Sequence, residues 1–270
     1  MPKKMAPFAQ IGSATLYLGD CLDWLAKLPE ESADMIFADP PYNLSNGGFS
    51  VHSGRRVIVD KGEWDRSAGV EKDFQFHMEW IAACRRVLSR HGTIWISGTY
   101  HSIYACGHAL QLQGFRILND ISWFKPNAAP NLGRRMFTAS HETLIWAAKN
   151  KQSKHVFNYA TMREGSFPKD GLKKHGKQMR SVWSINAPLA VEKQFGKHPT
   201  QKPEDLTDRI VAASTSENQL VLDPFCGSGT TGVSAVRLGR RFVGIESDKS
   251  YLSELAVPRL LAIEQQLQEG

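Results

Sequence analysis

The sequence predicts an α/β protein: a doubly wound, mostly parallel sheet covered on both faces by helices, with one inserted basic region. Three observations carry that reading. Short apolar runs of strand length alternate with amphipathic stretches of helical period through most of the chain. Two of those runs stop at an aspartate followed by proline, in "ADPPY" and "LDPFCGSG". The second then passes through a glycine turn into a helix and another strand, the order of a βαβ unit.

Taken in order, "ATLYLGDCLDWLAKLPEES" reads as a strand, a turn at Gly19-Asp20 and a helix stopped by Pro29. Met35, Ile36, Phe37 and Ala38 form a strand buried on both faces. Neither Pro40 nor Pro41 can donate to a ladder, so this strand ends at Asp39. Asp39 and Tyr42 are thereby placed on a rigid loop at the strand's C-terminal edge. Residues 43–67 are rich in Gly, Ser and charge and read as one long loop. "FQFHMEWIAACRRVLSRHG" is a helix leading into the strand "TIWIS"; a helix around "IYACGHALQLQG" and strands in "RILNDISWFK" and "HETLIWAAK" come next. From Lys149 to Lys197 the period fails, and nine Lys and two Arg stand against Glu164, Asp170 and Glu192. The whole chain carries only +6, so its basic character is concentrated there. Phe157, Tyr159, Phe167 and Trp183 interleave with these cations, a mixture that can stack on bases and hold phosphates, although a solvated face has the same composition. "KPEDLTDRIVAAS" restores the alternation. The chain thus divides into one catalytic unit, 1–149 with 198–270, and an inserted region, 150–197.

Composition narrows the classes. At 270 residues, 41% hydrophobic and 22% charged, the chain can bury a full core. Cys21, Cys84, Cys106 and Cys226 show no C-x-x-C pair and no His at ligand spacing, which argues against a disulfide framework or a metal site and for a reducing cytoplasm. No apolar stretch is long enough for a signal peptide or a membrane span. Trp80, Trp95, Trp123 and Trp146 fall in elements and are expected in the core, and His141 and His198 are expected to be structural.

Residues 218–248 carry the sharper chemistry. Gly227, Gly229 and Gly232 give G-x-G-x-x-G between the strand Leu220–Leu222 and a helix opening at about Thr230, and Glu246 ends the next strand. Asp223, just ahead of the turn, would repel a dinucleotide's pyrophosphate, which weighs against a nicotinamide oxidoreductase. A ligand with an ammonium for Asp223, a carboxylate for the turn amides and a ribose for Glu246 fits better. S-adenosyl-L-methionine has those groups, while a mere turn cap remains the plainer role for Asp223. Both aspartate-ended strands would face one crevice. There the Asp39 carboxylate and the Pro40 carbonyl could accept both N–H bonds of a nucleobase amino group and free its lone pair for methyl transfer. Pro40 and Pro41 would stiffen those acceptors and Tyr42 would stack on the extruded base.

"ADPPYNLS" followed much later by "DPFCGSGTTG" resembles the β class of amino-DNA methyltransferases. That resemblance implies a Rossmann-like, S-adenosylmethionine-dependent methyltransferase sheet in circularly permuted motif order, with the basic insertion as its target-recognition region. It also implies a cofactor site: Asp20 near the adenine, Thr200 and Lys202 at the methionine end, Glu246 on the ribose, and Asp39, Asp223, Phe225, Gly227, Ser228, Gly229 and Thr230 around it. The segments "SNGGFSVHSG", "VDKGEWD", "APNL" and "GKHPTQKP" are similar to DpnA-like adenine methyltransferases of GATC restriction systems. This likeness implies N6 methylation of adenine in GATC of duplex DNA, with single strands as a further substrate, and a homodimer and a cognate restriction endonuclease as partners. Arg55, Arg56 and Trp64 in the long loop, and Lys173, Lys174, Lys177 and Arg180 in the insertion, are the candidate DNA contacts. N4-cytosine methylation is the alternative, followed by RNA methylation and a catalytically silent DNA-binding module.

Overall fold

The computed structural model describes residues 6–42, 49–52, 55–58, 65–131 and 133–269. Its main sheet takes β1 (Ala9–Ile11), β2 (Ala14–Leu18), β3 (Ala33–Ala38), β6 (Leu88–Gly98), β7 (Arg116–Phe124), β8 (His141–Ala148), β9 (Val182–Ser184), β10 (Leu220–Asp223) and β11 (Arg241–Glu246). Their spatial order is β1-β2-β11-β10-β3-β6-β8-β7-β9. From β2 to β6 every neighbour is parallel. The expected mostly parallel sheet is present; its antiparallel members are β1, paired with β2, and β8, which runs antiparallel to both β6 and β7. For β8 the reason is the connection: helix-bearing crossovers keep strands parallel, whereas the described residues between β7 and β8 contain no helix.

Helices cover both faces. On one lie α1 (Cys21–Lys27), α2 (Val70–Val87) and α3 (Ile103–Leu112), which bury Leu25, Trp80, Ile81 and Leu110. On the other lie α5 (Glu204–Ser214), α6 (Thr230–Arg237) and α7 (Val257–Glu269), which bury Leu206, Ile210, Val233 and Leu260. Strand β3 feeds both layers, Met35 and Phe37 to one and Ile36 and Ala38 to the other, as a period of two requires. Helix α2 stops at Val87, earlier than the sequence predicts, because Leu88 to Gly92 join the strand. The four expected core tryptophans are buried, and Trp95 stacks on Trp146 with ring centroids 5.0 Å apart.

Two expectations need correction. Within residues 43–67, β4 (Phe49–His52) and β5 (Arg55–Ile58) pair antiparallel, so this stretch contains a hairpin. Its signal was present as alternating runs on either side of Ser53-Gly54. The side chains of Arg55 and Arg56, and Trp64 altogether, lie outside the described residues. The basic insertion joins the main sheet, since β9 adds to its edge beside β7. Trp183, expected among the base-stacking aromatics, is 4% exposed and packs on Trp95, with the Arg209 guanidinium 4.7 Å above its ring. Arg209 of α5 is held 2.7 Å from the buried Asp170, which tethers the insertion to the core. The insertion also holds the short helix α4 (Tyr159–Glu164) and a 3-10 turn, Ala190–Lys193.

Candidate active site

The carboxyl ends of β2, β3, β10 and β11 open into one cleft of about 260 Å³. Asp20, Asp39, Pro41, Thr200, Phe225, Gly227 and Glu246 all line it. A smaller cavity beside it brings in Lys202, Asp223, Ser228 and Thr230, and shares Asp39, Thr200, Phe225 and Gly227. The two aspartate-ended strands, far apart in the chain, are therefore neighbours at one site, as expected from their register. Gly227 and Gly229 adopt left-handed conformations, φ +50° and +75°. A Cβ on Gly227 would stand 3.1 Å from the His198 imidazole, so glycine here keeps the turn in close contact with the opposite wall.

Three carboxylates set the electrostatics of the cleft. Asp20 caps α1, its Oδ1 accepting the Leu22 and Asp23 amides at 2.8 and 3.3 Å. Glu246 accepts the Gly227 amide at 2.8 Å on one oxygen, and the Asp248 amide at 2.8 Å and the Ser247 hydroxyl at 3.3 Å on the other. A carboxylate has about four acceptor positions, so Glu246 can take one further donor from the cleft. Asp223 accepts the Phe225 amide at 3.0 Å, which confirms its capping role, yet it also faces the cavity. Burial lifts its carboxyl from 3.8 to about 7, with Asp39 and Glu246 adding to the rise.

Asp39 lies at the centre of a second network. Its Oδ1 accepts the Tyr42 hydroxyl at 2.5 Å and its Oδ2 the Lys202 ammonium at 2.5 Å. Tyr42 also lies 3.0 Å from the Ser97 hydroxyl and 3.2 Å from Glu142, and its amide donates to Asp65 at 2.9 Å. Glu142 is held in turn by Lys125 at 2.8 Å. Burial acts against the Lys202 charge, but Asp39 and Glu142 outweigh it and hold its pKa above the ordinary value. For Glu142 burial is outweighed by Lys202 and Lys125, and its pKa is lowered. Two lysines thus balance two carboxylates in a largely buried pocket. Tyr42, expected to present its ring to a base, is only 5% exposed and turned inward by these bonds. Pro40 is buried beside it.

Sequence reasoning missed several members. Glu142 was visible only as a lone acid opening the apolar run of β8, and Ser97 as a polar residue ending β6. Arg259, a buried cation in the apolar face of α7, donates to the Ser228 carbonyl and hydroxyl at 3.0 and 3.1 Å and to the Thr230 hydroxyl at 2.7 Å. The hydroxyls of Ser228 and Thr230 are accordingly engaged from behind the turn. His198 lines the cleft with Tyr251, which sits in a π-helical turn, Tyr251–Ala256, just ahead of α7. In the insertion Lys174, Lys177 and Arg180 are exposed. Lys173 differs, since its ammonium donates to the carbonyls of Arg163 at 2.8 Å and Lys174 at 2.7 Å. All four cysteines are buried, and no metal-binding cluster occurs among the described residues. No helix among them is long and apolar enough to cross a membrane.

A cleft with an acid able to take a ribose hydroxyl, a buried carboxyl suited to an ammonium and a glycine turn can hold a charged nucleoside. Next to it, Asp39 offers an acceptor to a second molecule. Comparison with known proteins agrees with this pairing. Residues 33–257 match the family model described as DNA methylase. The Type II methyltransferase M2.LlaDCHI of Lactococcus lactis subsp. cremoris is 51% identical over 255 residues, 94% of this chain and 91% of its own. The Type II methyltransferase M2.DpnII of Streptococcus pneumoniae is 50% identical over 257 residues, 95% and 92% of the two chains. Among solved structures, the M1.HpyAVI–SAM complex superposes with a TM-score of 0.66 at 30% identity, covering 92% of this chain and 98% of that one.

Proposed function

The chain belongs to the DNA methylase family, and on that premise we propose that it transfers the methyl group of S-adenosylmethionine to N6 of an adenine drawn out of DNA. S-adenosylmethionine, when bound, supplies an electrophilic methyl group. The solved relative in complex with SAM supports this choice of donor. So does the cleft: Glu246 has an acceptor position left for a ribose hydroxyl, and Asp223 can ionise against an ammonium. Asp20, Phe225, Thr200, His198 and the Gly227 turn would form the remaining walls.

The single observation that carries the reading is the position of Asp39, shared by the cleft and the cavity beside it. An adenine amino nitrogen is a poor nucleophile because its lone pair is delocalised into the ring. The Asp39 carboxylate and the Pro40 carbonyl would each accept one of its N–H bonds, drawing the nitrogen towards tetrahedral geometry. Their stiffness comes from Pro40 and Pro41, so little reorganisation is required when the base arrives. In this structure the Tyr42 hydroxyl and Lys202 occupy the Asp39 oxygens. An entering amino group would displace the Tyr42 hydroxyl, and the freed ring would serve as the stacking surface for the base. Glu142 and Ser97 keep the vacated pocket polar, and Lys202 fixes the second oxygen. The proton released from nitrogen after transfer would pass to Asp39, whose pKa burial raises.

The Asp-Pro-Pro-Tyr form of the loop supports adenine over cytosine, and the similarity to GATC methyltransferases supports GATC as the site. A dimer, a cognate endonuclease and a cytoplasmic location belong to the same reading. The test is methyl incorporation into matched oligonucleotides with intact and scrambled GATC, as duplexes and single strands. Incorporation confined to the intact site supports the proposal; equal labelling of both sequences contradicts GATC.

A further inference from the structure

The loop between β7 and β8, residues 125–140, contains Lys125, Arg134 and Arg135 and no acidic residue. The Lys125 amide closes its stem on the Ser140 carbonyl at 2.7 Å. That stem grows directly out of the Asp39 network, because Lys125 pairs with Glu142 and Glu142 reaches the Tyr42 hydroxyl. Inside the loop Asn131 folds the chain back on itself: its side-chain amide donates to the Met136 carbonyl at 3.2 Å, and its Oδ1 accepts the Gly133 amide at 2.8 Å. The fold pushes the tip outward. Met136 is 68% exposed and Phe137 is 99% exposed, with Arg134 and Arg135 exposed beside them.

A fully exposed phenylalanine costs hydration in the free protein and stabilises nothing there. Its neighbours indicate what covers it. Two arginines with no balancing acid fit a polyanion, and an apolar ring beside them fits the space between stacked bases. By chain length Phe137 lies no more than ~18 Å from Glu142, within reach of a duplex whose target base enters the Asp39 pocket. We infer that Arg134, Arg135, Met136 and Phe137 form a wedge that enters duplex DNA next to the target, with Phe137 filling the gap left by the withdrawn base and the arginines holding the flanking phosphates. The inference rests on the proposed adenine reading of the site.

A wedge matters only where a base must be pulled from a stack. Phe137→Ala is therefore expected to lower kcat/KM on a GATC duplex by roughly tenfold or more, while leaving single-stranded DNA, and a duplex mismatched at the target adenine, within about twofold of wild type. The fluorescence of 2-aminopurine at the target should rise on binding to the wild type, fail to rise with Phe137→Ala, and recover with Phe137→Trp. An unchanged duplex rate, or an equal loss on duplex and single strand, would overturn the wedge. So would sedimentation showing that Phe137→Ala breaks a dimer without changing the 2-aminopurine signal, which would make the tip a contact between copies. Failure of the wild type to label any DNA would instead remove the underlying adenine reading.

Discussion

Asp39 and Asp223 both stand at strand ends, but their partners differ: Tyr42 and Lys202 bond Asp39, and the Phe225 amide bonds the buried Asp223. Asp39→Ala is expected to abolish methyl transfer while leaving S-adenosylmethionine binding, measured by calorimetry, largely intact. Tyr42→Phe removes the hydroxyl that Ser97 and Glu142 face, and should cost ~1–3 kcal/mol of stability in chemical denaturation while retaining the stacking ring. Asp223 makes a pH prediction. With its carboxyl lifted from 3.8 to about 7, the folded protein holds a proton that the unfolded chain releases between those values. Stability from this group is present below about pH 4 and is lost as pH rises through about 7. Asp223→Asn should therefore stabilise the cofactor-free protein at pH 8, by an amount of the order of 4 kcal/mol at most. Because an ammonium favours the ionised carboxylate, wild-type cofactor affinity should increase from pH 6 to pH 8, and Asp223→Asn should flatten that rise. The placement of Asp39, Asp223 and Glu246 around the cleft was legible in the sequence, because each ends a strand of a motif. The inward turn of Tyr42 was not, because it depends on Glu142 and Ser97, which reach it only through strand pairing.

At the scale of elements, the glycine turn is held by what lies behind it as well as by its own conformation. Arg259 of α7 bonds Ser228 and Thr230 and is itself held by Glu204 of α5 at 2.7 Å. Arg259→Met is expected to weaken S-adenosylmethionine binding, and adding Ser228→Ala should produce less than the sum of the two single effects, a non-additivity that calorimetry can measure. The insertion is anchored in a similar way. Removing the buried Asp170 carboxylate leaves Arg209 uncompensated, so Asp170→Ala should lower unfolding stability by ~3–5 kcal/mol. The alternation of elements was readable because β3, residues 93–97 of β6 and β10 carry short apolar runs. The antiparallel entry of β8 and the burial of Trp183 were not, since each depends on which distant strand lies alongside, whereas the β4-β5 hairpin had a local signal in its alternating runs.

For the molecule as a whole, charge and architecture divide the labour. The parallel part of the sheet brings the two aspartate loops together at the carboxyl ends of β3 and β10, and the excess of base in the insertion favours a polyanionic substrate. Exposed Lys174 and Lys177 are expected to contribute to that attraction, so neutralising both should flatten the salt dependence of DNA affinity by up to about one unit of slope for each phosphate they pair with. Lys173, whose ammonium is spent on backbone carbonyls, should affect loop stability more than the slope. The central claim is that this site methylates the amino group of adenine through Asp39. It is tested most directly by incubating the protein with methyl-labelled S-adenosylmethionine and GATC-containing DNA, digesting to nucleosides, and identifying the labelled base. All label is expected in N6-methyldeoxyadenosine and none with Asp39→Ala; label in N4-methyldeoxycytidine, or undiminished label with Asp39→Ala, would contradict the claim.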